Sequence, residues 1–474
     1  MPLPAVPARP ALPDTCCPTR RVALRPLGVL ALATAVALTG CAATPPATTA
    51  GPPSARKPPG AEAQVAALPA GSAPASRPAA PAKTPASAAT AADPGAQQAA
   101  EEADFSRWIA DFQRRAAAQG VRSATLHNAF DRVRFQPRVI ELDRSQPEFT
   151  RQVWDYLDGA VSAQRVAQGK AKLQQYRAET AQAQARYGVP AAVLVAIWGM
   201  ESNYGGNFGN FSTIDALATL GFEGRRREWA SNELLAALKI IDSGDIDRAR
   251  MTGSWAGAMG HTQFLPSSYL GYAVDADGDG RRDIWGSIAD VMASTANYLA
   301  RSGWQPGQPW GTEVRLPPGF DYERADTALR QSTSQWAAAG VAPLDGQALP
   351  DFADGSVIAP AGARGPAFLV GPNFRAVLRY NNSNSYALGV SLLAQRIDGG
   401  PGVVGSWPRD LKSLSRTQVR ALQTALGERG FDTGTPDGVM GPATRDGVRR
   451  YQRGAGLPVD GFPTVELLQQ LQGP

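Results

Sequence analysis

The segment YGVPAAVLVAIWGMESNYGG, residues 187–206, contains an unbroken apolar run from Ala191 to Met200. Pro190 stands at an early helical position, where its missing N–H costs no hydrogen bond. A helix that is apolar on every side is buried in a core, and this one is far too short to cross a bilayer. The segment therefore predicts a buried helix inside a globular domain.

Glu201 follows the apolar run directly. A carboxylate at this end of a helix faces the negative end of the helix dipole, at the point where the chain leaves a hydrophobic interior. Both effects penalise the ionised form and predict a raised pKa. A Glu that keeps its proton near neutral pH can act as a general acid. The alternative, a solvated Glu at an exposed helix end, stays open at this level.

Four stretches extend the pattern around this acid. They are Gly199-Met-Glu-Ser-Asn-Tyr-Gly205, the seventeen-residue stretch from Gly253 to Tyr269, Ala296-Asn-Tyr-Leu299 and Arg379-Tyr-Asn-Asn382. In this order they resemble the signatures of the membrane-bound lytic murein transglycosylase B family, across residues 104–400. The resemblance implies a mostly α fold: a lysozyme-like catalytic domain with a small β element.

The resemblance also implies that Glu201 cleaves peptidoglycan without using water. Glu201 would protonate the bond between N-acetylmuramic acid and N-acetylglucosamine, and the muramoyl N-acetyl group would stabilise the cationic centre. Glu201 would then act as base while the C6 hydroxyl attacks C1 to give a 1,6-anhydro end. One carboxylate suffices because substrate groups replace the second one, and no cofactor is required.

Two other functions stay open beside this one. A non-catalytic wall-binding scaffold could have kept the fold, although the intact Glu201 and Gln263 favour the enzyme. A hydrolase that uses water would need a second acid across the cleft.

Further site residues follow from the resemblance alone. The family's cleft residues match Ser254 and Gln263, and its sugar-contacting residues match Tyr156, Tyr298, Tyr380, Asn381 and Tyr386. Aromatic and amide side chains suit the apolar faces and hydroxyl edges of sugars. For each Tyr, ordinary core or rim packing is the alternative. His261 is expected to pack and not to take part in catalysis.

A loop rich in Asp and Gly resembles the start of an EF-hand. Gly280 supplies the sharp turn, but the twelfth position is Gly286 and not Glu, so a late Asp would have to close the site. The predicted ligands of a structural calcium ion are Asp275, Asp277, Asp279, Arg281 (through its carbonyl), Asp283 and Asp290. A hydrogen-bonded turn without metal is the alternative.

Outside these motifs, helical spacing predicts helices from Phe105 to about residue 188 and from Ala387 to Ile397. Short β signals lie at 313–316, 367–370 and 376–378. The last sixty or so residues combine helical stripes with two Asp-Gly turns, which predicts a three-helix unit. It resembles the peptidoglycan-binding domain that is often fused to wall hydrolases.

The N-terminal sequence predicts targeting to the bacterial cell envelope. Arg20 and Arg21 precede an apolar run, and Leu38-Thr-Gly-Cys41 resembles a lipobox, in which Cys41 is acylated after cleavage. In lipoproteins of this class an Asp after the Cys favours the inner membrane, so Ala42 at that position implies the periplasmic face of the outer membrane. An uncleaved transmembrane anchor is the alternative.

Composition excludes several kinds of site. The three Cys residues lie at or before Cys41, so we expect no disulfide and no Cys nucleophile in the rest of the protein. The chain has 2 His, so we expect no metal site built from several His residues. The formal charge of +5 comes without a long basic block, so nucleic acid is not expected as a partner. We expect a monomer. The predicted segments are a lipoprotein signal (1–41), a disordered Ala/Pro-rich linker (42–100), the catalytic domain (101–405) and the peptidoglycan-binding domain (409–474).

Overall fold

The structure is a computed structural model that describes residues 94–144, 152–344, 346 and 348–473. The predicted signal, Cys41 and the predicted linker up to residue 93 lie outside the described residues. Helix α1 begins at Pro94, so residues 94–100 of the predicted linker are helical. Among the described residues, no helix has both the length and the apolar character needed to cross a membrane.

The chain is mostly helical, which confirms the predicted fold class. The helices are α1 (Pro94–Ala118), α2 (Ser123–Phe130), α3 (Pro137–Arg144), α4 (Val153–Ala160), α5 (Ala163–Gln175), α6 (Arg177–Tyr187), α7 (Ala191–Ser202), α8 (Thr213–Glu223), α9 (Arg227–Ser243), α10 (Pro266–Tyr272), α11 (Ile288–Arg301), α12 (Thr333–Ala338), α13 (Pro372–Tyr380), α14 (Asn384–Ile397), α15 (Arg416–Glu428), α16 (Pro442–Gly454) and α17 (Val465–Gln472). The strands are β1 (Phe211–Ser212), β2 (Thr252–Gly253), β3 (Gly311–Arg315), β4 (Ala342–Pro343), β5 (Ser356–Ile358) and β6 (Ala367–Val370).

Helix α7 is the buried helix that the sequence predicts. Leu194, Val195 and Ile197 are fully buried, and each contributes about 1.5–3 kcal/mol through removal of its side chain from water. Helices α5 and α14 pack directly against it. The helix ends where Asn203 and Tyr204 adopt positive φ, which turns the chain sharply just after Glu201.

Two small antiparallel sheets accompany the helices. The first sheet pairs β1, which follows the loop after α7, with β2. The second sheet has the strand order β4-β3-β6-β5. The predicted strands at 313–316 and 367–370 are found as β3 and β6. The strand predicted at 376–378 is wrong, because these residues lie in α13. Pro372 begins that helix at a position that favours Pro, and its buried residues Phe374 and Val377 are three apart, as one helix face requires.

The C-terminal module, residues 414–473, contains the three predicted helices α15, α16 and α17. Its own core includes Leu422, Leu426, Val448 and Leu471. Helix α15 begins with a capping box in which Ser415 and Gln418 exchange hydrogen bonds. The module is therefore a small folded unit with a separate apolar core.

Candidate active site

Glu201 occupies the last turn of α7 and is partly buried. The hydroxyl of Tyr386 donates a hydrogen bond to its Oε1 at 2.5 Å. Burial raises the pKa of Glu201 to about 7, and the bond from Tyr386 offsets part of that rise. The predicted rise in pKa is confirmed, and desolvation is its main cause.

Tyr386 lies in the first turn of α14 and is buried. Ser383 caps this helix by accepting a hydrogen bond from the backbone N–H of Tyr386. Burial and the charge of Glu201 raise the pKa of Tyr386 well above its usual value, so its hydroxyl stays a donor at physiological pH. The cap therefore fixes the residue that orients the acid.

Tyr298 and Tyr380 lie beneath this pair. Their ring centroids are 4.8 Å apart, and the side chains are only 3% and 2% exposed. Tyr298 donates to the carbonyl of Arg379 at 2.5 Å, and Tyr380 donates to that of Thr262 at 2.6 Å. Both rings are packed inside the core in this structure, and their contact with sugar stays a prediction.

Tyr156 and Asn381 lie nearer the surface. Tyr156, on α4, is partly buried, and its Cε1 would lie 3.3 Å from a Cβ placed on Gly389 of α14. Its presence also contributes to the raised pKa of Tyr386. Asn381 follows the last residue of α13 and is partly buried. The structure thus brings Tyr156 of α4 near Tyr386 of α14, which in turn contacts Glu201.

Ser254 organises the loop after β2. Its Oγ accepts hydrogen bonds from the backbone N–H groups of Ala256 at 3.3 Å and Ala258 at 3.1 Å. This side chain therefore holds a tight turn in the predicted cleft segment.

Gln263 holds the end of the same loop. Its Nε2 donates to the carbonyls of Phe208 and Gly260, both at 2.9 Å. Gln263 has a φ of +51°, which is rare for a residue with a side chain and marks stored strain. Gly260 has positive φ, and a Cβ there would lie 2.6 Å from the carbonyl oxygen of Ile284, so only Gly fits.

Two hydrogen bonds that the sequence did not predict join the segment around Glu201 to the segment around His261. Ser202 donates its hydroxyl to the carbonyl of His261 at 3.0 Å, and Trp198 donates its indole N–H to Nδ1 of His261 at 2.8 Å. Burial lowers the pKa of His261 and keeps the ring neutral. The packing role expected for His261 fits this geometry. Only its proximity to Gln263 in the sequence could have suggested these bonds.

Three of the six predicted calcium ligands come together. Carboxylate oxygens of Asp275, Asp277 and Asp279 all lie within 4.8 Å of one another. They also serve the loop itself, since Asp275 accepts from the N–H of Gly278 and Asp279 accepts from that of Arg281. The loop therefore shows features of both the ion site and the metal-free turn.

Asp283 and Asp290, two further predicted ligands, accept hydrogen bonds from backbone groups in and beside the loop. The two oxygens of Asp290 accept from the N–H groups of Ala276 and Asp283, both at 2.7 Å. Asp290 is fully buried, and burial raises its pKa to about 6. Asp283 accepts from the N–H of Trp285 at 2.9 Å. These two carboxylates hold the loop closed from inside.

Comparison with known proteins identifies the family of this chain. A family model described as "Transglycosylase SLT domain" matches residues 104–395, which is more than half of the chain. The chain belongs to this family. A second model, described as "Putative peptidoglycan binding domain", matches residues 415–471. Membership confirms the resemblance predicted from the signatures and places the chain among lytic transglycosylases of peptidoglycan.

Three relatives illustrate the family. Membrane-bound lytic murein transglycosylase B of Escherichia coli (strain K12) is 38% identical over 218 residues, which span 44% of this chain and 58% of that protein. SltB3 of Pseudomonas aeruginosa, solved in complex with NAG-anhNAM-pentapeptide, is 52% identical, with a TM-score of 0.75; the match covers 78% of this chain and 99% of SltB3. The Escherichia coli lytic transglycosylase Slt35, solved in complex with calcium, is 31% identical with a TM-score of 0.54, and the match covers 63% of this chain and 93% of Slt35.

Proposed function

We propose that this transglycosylase cleaves the β-1,4 bond between N-acetylmuramic acid and N-acetylglucosamine in peptidoglycan and leaves a 1,6-anhydro end. The observation that carries the proposal is Glu201, a partly buried acid whose pKa is raised to about 7 and which Tyr386 holds in place. The complex of SltB3 with a NAG-anhNAM-pentapeptide, a molecule with an anhydro sugar, supports the same product.

The hydrogen bond from Tyr386 distinguishes the two oxygens of the Glu201 carboxyl group. Because Tyr386 donates to Oε1 of Glu201, Oε2 is the oxygen that we assign to the carboxyl proton. With a pKa of about 7, a large share of Glu201 is protonated at neutral pH. Oε2 is thus the atom that donates to the glycosidic oxygen.

The reaction then closes without water. The proton of Glu201 passes to the leaving oxygen as the C1–O bond breaks, and the muramoyl N-acetyl group stabilises the cationic carbon. The Glu201 carboxylate takes the proton of the C6 hydroxyl, whose oxygen bonds to C1. The carboxyl group is regenerated, so one acid serves both steps.

Ser254, Gln263 and Asn381 are proposed to line the cleft with Tyr156. Ser254 and Gln263 act mainly by fixing the loop that faces the acid, since their polar atoms already bond to the backbone. Tyr298 and Tyr380 are assigned a supporting role under Glu201, because they are buried. Preorganised groups of this kind hold a substrate in reacting geometry.

A structural calcium ion is proposed for the Asp/Gly loop. Calcium prefers carboxylate and carbonyl oxygens, and Asp275, Asp277 and Asp279 offer three converging carboxylates. Slt35, which is 31% identical to this chain, was solved with calcium. Asp290 would stay an internal brace of the loop.

The cellular setting is proposed from the N-terminal sequence and the C-terminal module. Acylation of Cys41 would anchor the enzyme to the periplasmic face of the outer membrane, and one relative is described as membrane-bound. The module would hold the enzyme on its wall substrate, as its family description suggests.

Product analysis tests the proposed reaction. Wild-type enzyme incubated with purified sacculi should release muropeptides with 1,6-anhydro ends, measured by mass spectrometry, and Glu201→Gln should release none. Reducing-end muramic acid as the main product would support a hydrolase instead. A folded protein that binds sacculi and releases nothing would support the scaffold.

A further inference from the structure

The C-terminal module contains the same turn twice. In the first copy, Oδ1 of Asp437 accepts from Nε2 of Gln423 at 2.9 Å and from the N–H of Val439 at 2.8 Å. In the second, Oδ1 of Asp460 accepts from Nε2 of Gln452 at 2.7 Å and from the N–H of Phe462 at 2.9 Å. The two Asp side chains therefore form matching hydrogen bonds inside the module.

The second turn also hydrogen-bonds to the catalytic body. Oδ2 of Asp460 accepts from the backbone N–H of Ala363 at 2.9 Å. Gly362 has positive φ, and a Cβ on it would lie 2.4 Å from Oδ2 of Asp460, so the approach requires Gly. Among the described residues, the hydrogen-bond partners of Asp437 all lie within the module.

Phe462, which follows the second turn, packs into the core of the catalytic body and not into that of the module. Its ring lies 6.5 Å from that of Trp154, centroid to centroid. The ring of Trp407, on the segment that connects the catalytic body to the module, lies 6.4 Å from that of Trp154 between centroids. Trp154 is only 2% exposed. The module thus supplies part of the cover over this large ring.

Trp154 lies on α4, the short helix that also carries Tyr156. Residues two apart on a helix point in directions about 200° apart. One side of α4 therefore faces the module, and the other faces α14, where Tyr156 approaches Gly389. The helix is eight residues long, so its position depends on its packing partners rather than on its intrinsic stability.

Two ion pairs strengthen the same attachment. Arg409, on the connecting segment, binds Asp158 of α4 through two hydrogen bonds at 2.7 and 2.9 Å. Arg453 of the module pairs with Glu323 of the catalytic body. Exposed pairs like these add little energy individually, but they fix the orientation of the surfaces that they join.

We propose that the docked C-terminal module orders α4 and thereby positions Tyr156 beside Tyr386 and Glu201. Asp460 and Phe462 are positioning residues, which act on the cleft through Trp154. The module is then a part of the catalytic body as well as a wall-binding unit. The consequence for catalysis rests on the proposed function, whereas the ordering of α4 does not.

Amide hydrogen exchange on the full mature chain tests the ordering directly. Asp460→Asn removes the acceptor for Ala363, and Asp437→Asn makes the same change in the turn that stays within the module. Exchange of the α4 amides should become faster in Asp460→Asn and in Phe462→Ala, and it should match the wild type in Asp437→Asn. Unchanged exchange in the first two variants, or equal acceleration in Asp437→Asn, overturns the proposal.

Kinetics on a soluble tetrasaccharide of two N-acetylglucosamine–N-acetylmuramic acid repeats tests the consequence. We expect kcat to fall about tenfold in Asp460→Asn and Phe462→Ala, because a small misplacement of a cleft residue is costly. Phe462→Leu, which keeps an apolar side chain, should recover most of this loss, and binding to sacculi should stay unchanged in all of these variants.

The two measurements separate the two claims. Faster exchange of α4 together with unchanged kcat overturns the link to the cleft. If the wild type leaves the tetrasaccharide intact while Asp460→Asn still accelerates exchange of α4, the proposed function fails and the ordering of α4 by the module stands.

Discussion

The hydroxyl of Tyr386 lies 2.5 Å from Oε1 of Glu201 and joins the first turn of α14 to the last turn of α7. The two influences on the acid oppose each other. Burial raises the pKa of Glu201 and the hydrogen bond lowers it, with burial the larger. The acid is therefore held with a pKa close to physiological pH and with one oxygen bound by Tyr386.

Tyr386→Phe should change the pH dependence of the reaction in a defined direction. Activity falls as the pH rises through the pKa of Glu201, because the acid must be protonated to start the reaction. Loss of the Tyr386 hydroxyl removes the contribution that lowers this pKa, so the basic limb of the kcat profile should move to higher pH. The maximal kcat should fall about tenfold or more, since the carboxyl loses its orienting partner.

Tyr451→Phe, in the C-terminal module, is the control for that change and should keep the wild-type profile. A basic limb in Tyr386→Phe that stays in place, or that moves to lower pH, would contradict the assignment of the limb to Glu201.

Glu201→Gln should abolish cleavage and stabilise the fold at alkaline pH. Folding raises the pKa of Glu201 from 4.5 to about 7. The free energy of unfolding therefore falls as the pH rises from about 4.5 to about 7, because the buried carboxyl group loses its proton less readily than in the unfolded chain. Gln carries no such penalty. The gain in free energy of unfolding should be near zero at pH 4 and reach up to about 3 kcal/mol at pH 8. Urea denaturation at both pH values measures it.

Glu428→Gln, which changes an exposed carboxyl at the end of α15, is the matched control. Equal stability of Glu201→Gln and wild type at pH 8 would mean that the acid is well solvated.

The local features of the site were predictable from the sequence, but its tertiary features were not. The apolar run before Glu201 predicts both the buried helix and the raised pKa, since burial acts on adjacent residues. The burial of Tyr298 and Tyr380 depends on packing between α11 and α13, which are far apart in the chain. The strand predicted at 376–378 is wrong because three consecutive apolar residues are compatible with both the helical and the strand periodicity. The helix α13 begins at Pro372 and includes all three residues.

The docking of the C-terminal module was equally invisible in the sequence. Asp437 and Asp460 stand in similar Asp-Gly turns, and nothing local distinguishes the one that contacts Ala363. Only the tertiary structure separates them.

Calcium should stabilise the enzyme if the Asp/Gly loop binds it. Binding to the folded state alone adds about 2.7 kcal/mol at a concentration one hundred times Kd. The Tm measured by calorimetry should therefore rise from EDTA to calcium, and magnesium should have a smaller effect because it demands a stricter geometry. Asp279→Asn should remove the increment, and Asp351→Asn, an exposed Asp outside the loop, should keep it. An equal Tm in EDTA and calcium would favour the metal-free turn.

Gly389 of α14 provides a separate test of how tightly α4 sits against the site. A Cβ on Gly389 would lie 3.3 Å from Tyr156 Cε1, 3.3 Å from Met200 Cε and 3.4 Å from the Cβ of Ala160. Gly389→Val would place two further carbons in this space, so we expect a loss of about 1–3 kcal/mol in free energy of unfolding and a lower kcat, as α4 moves away from the acid.

Gly427→Ala in α15 is the matched control, because a Cβ there meets nothing within 4 Å. Removing a helical Gly without a steric cost should stabilise the protein by up to about 1 kcal/mol and leave kcat unchanged. Opposite signs for the two substitutions in thermal unfolding would locate the constraint in the contact between α4 and α14. A stabilising Gly389→Val would mean that α4 has room to move, and that the position of Tyr156 is not set by this packing.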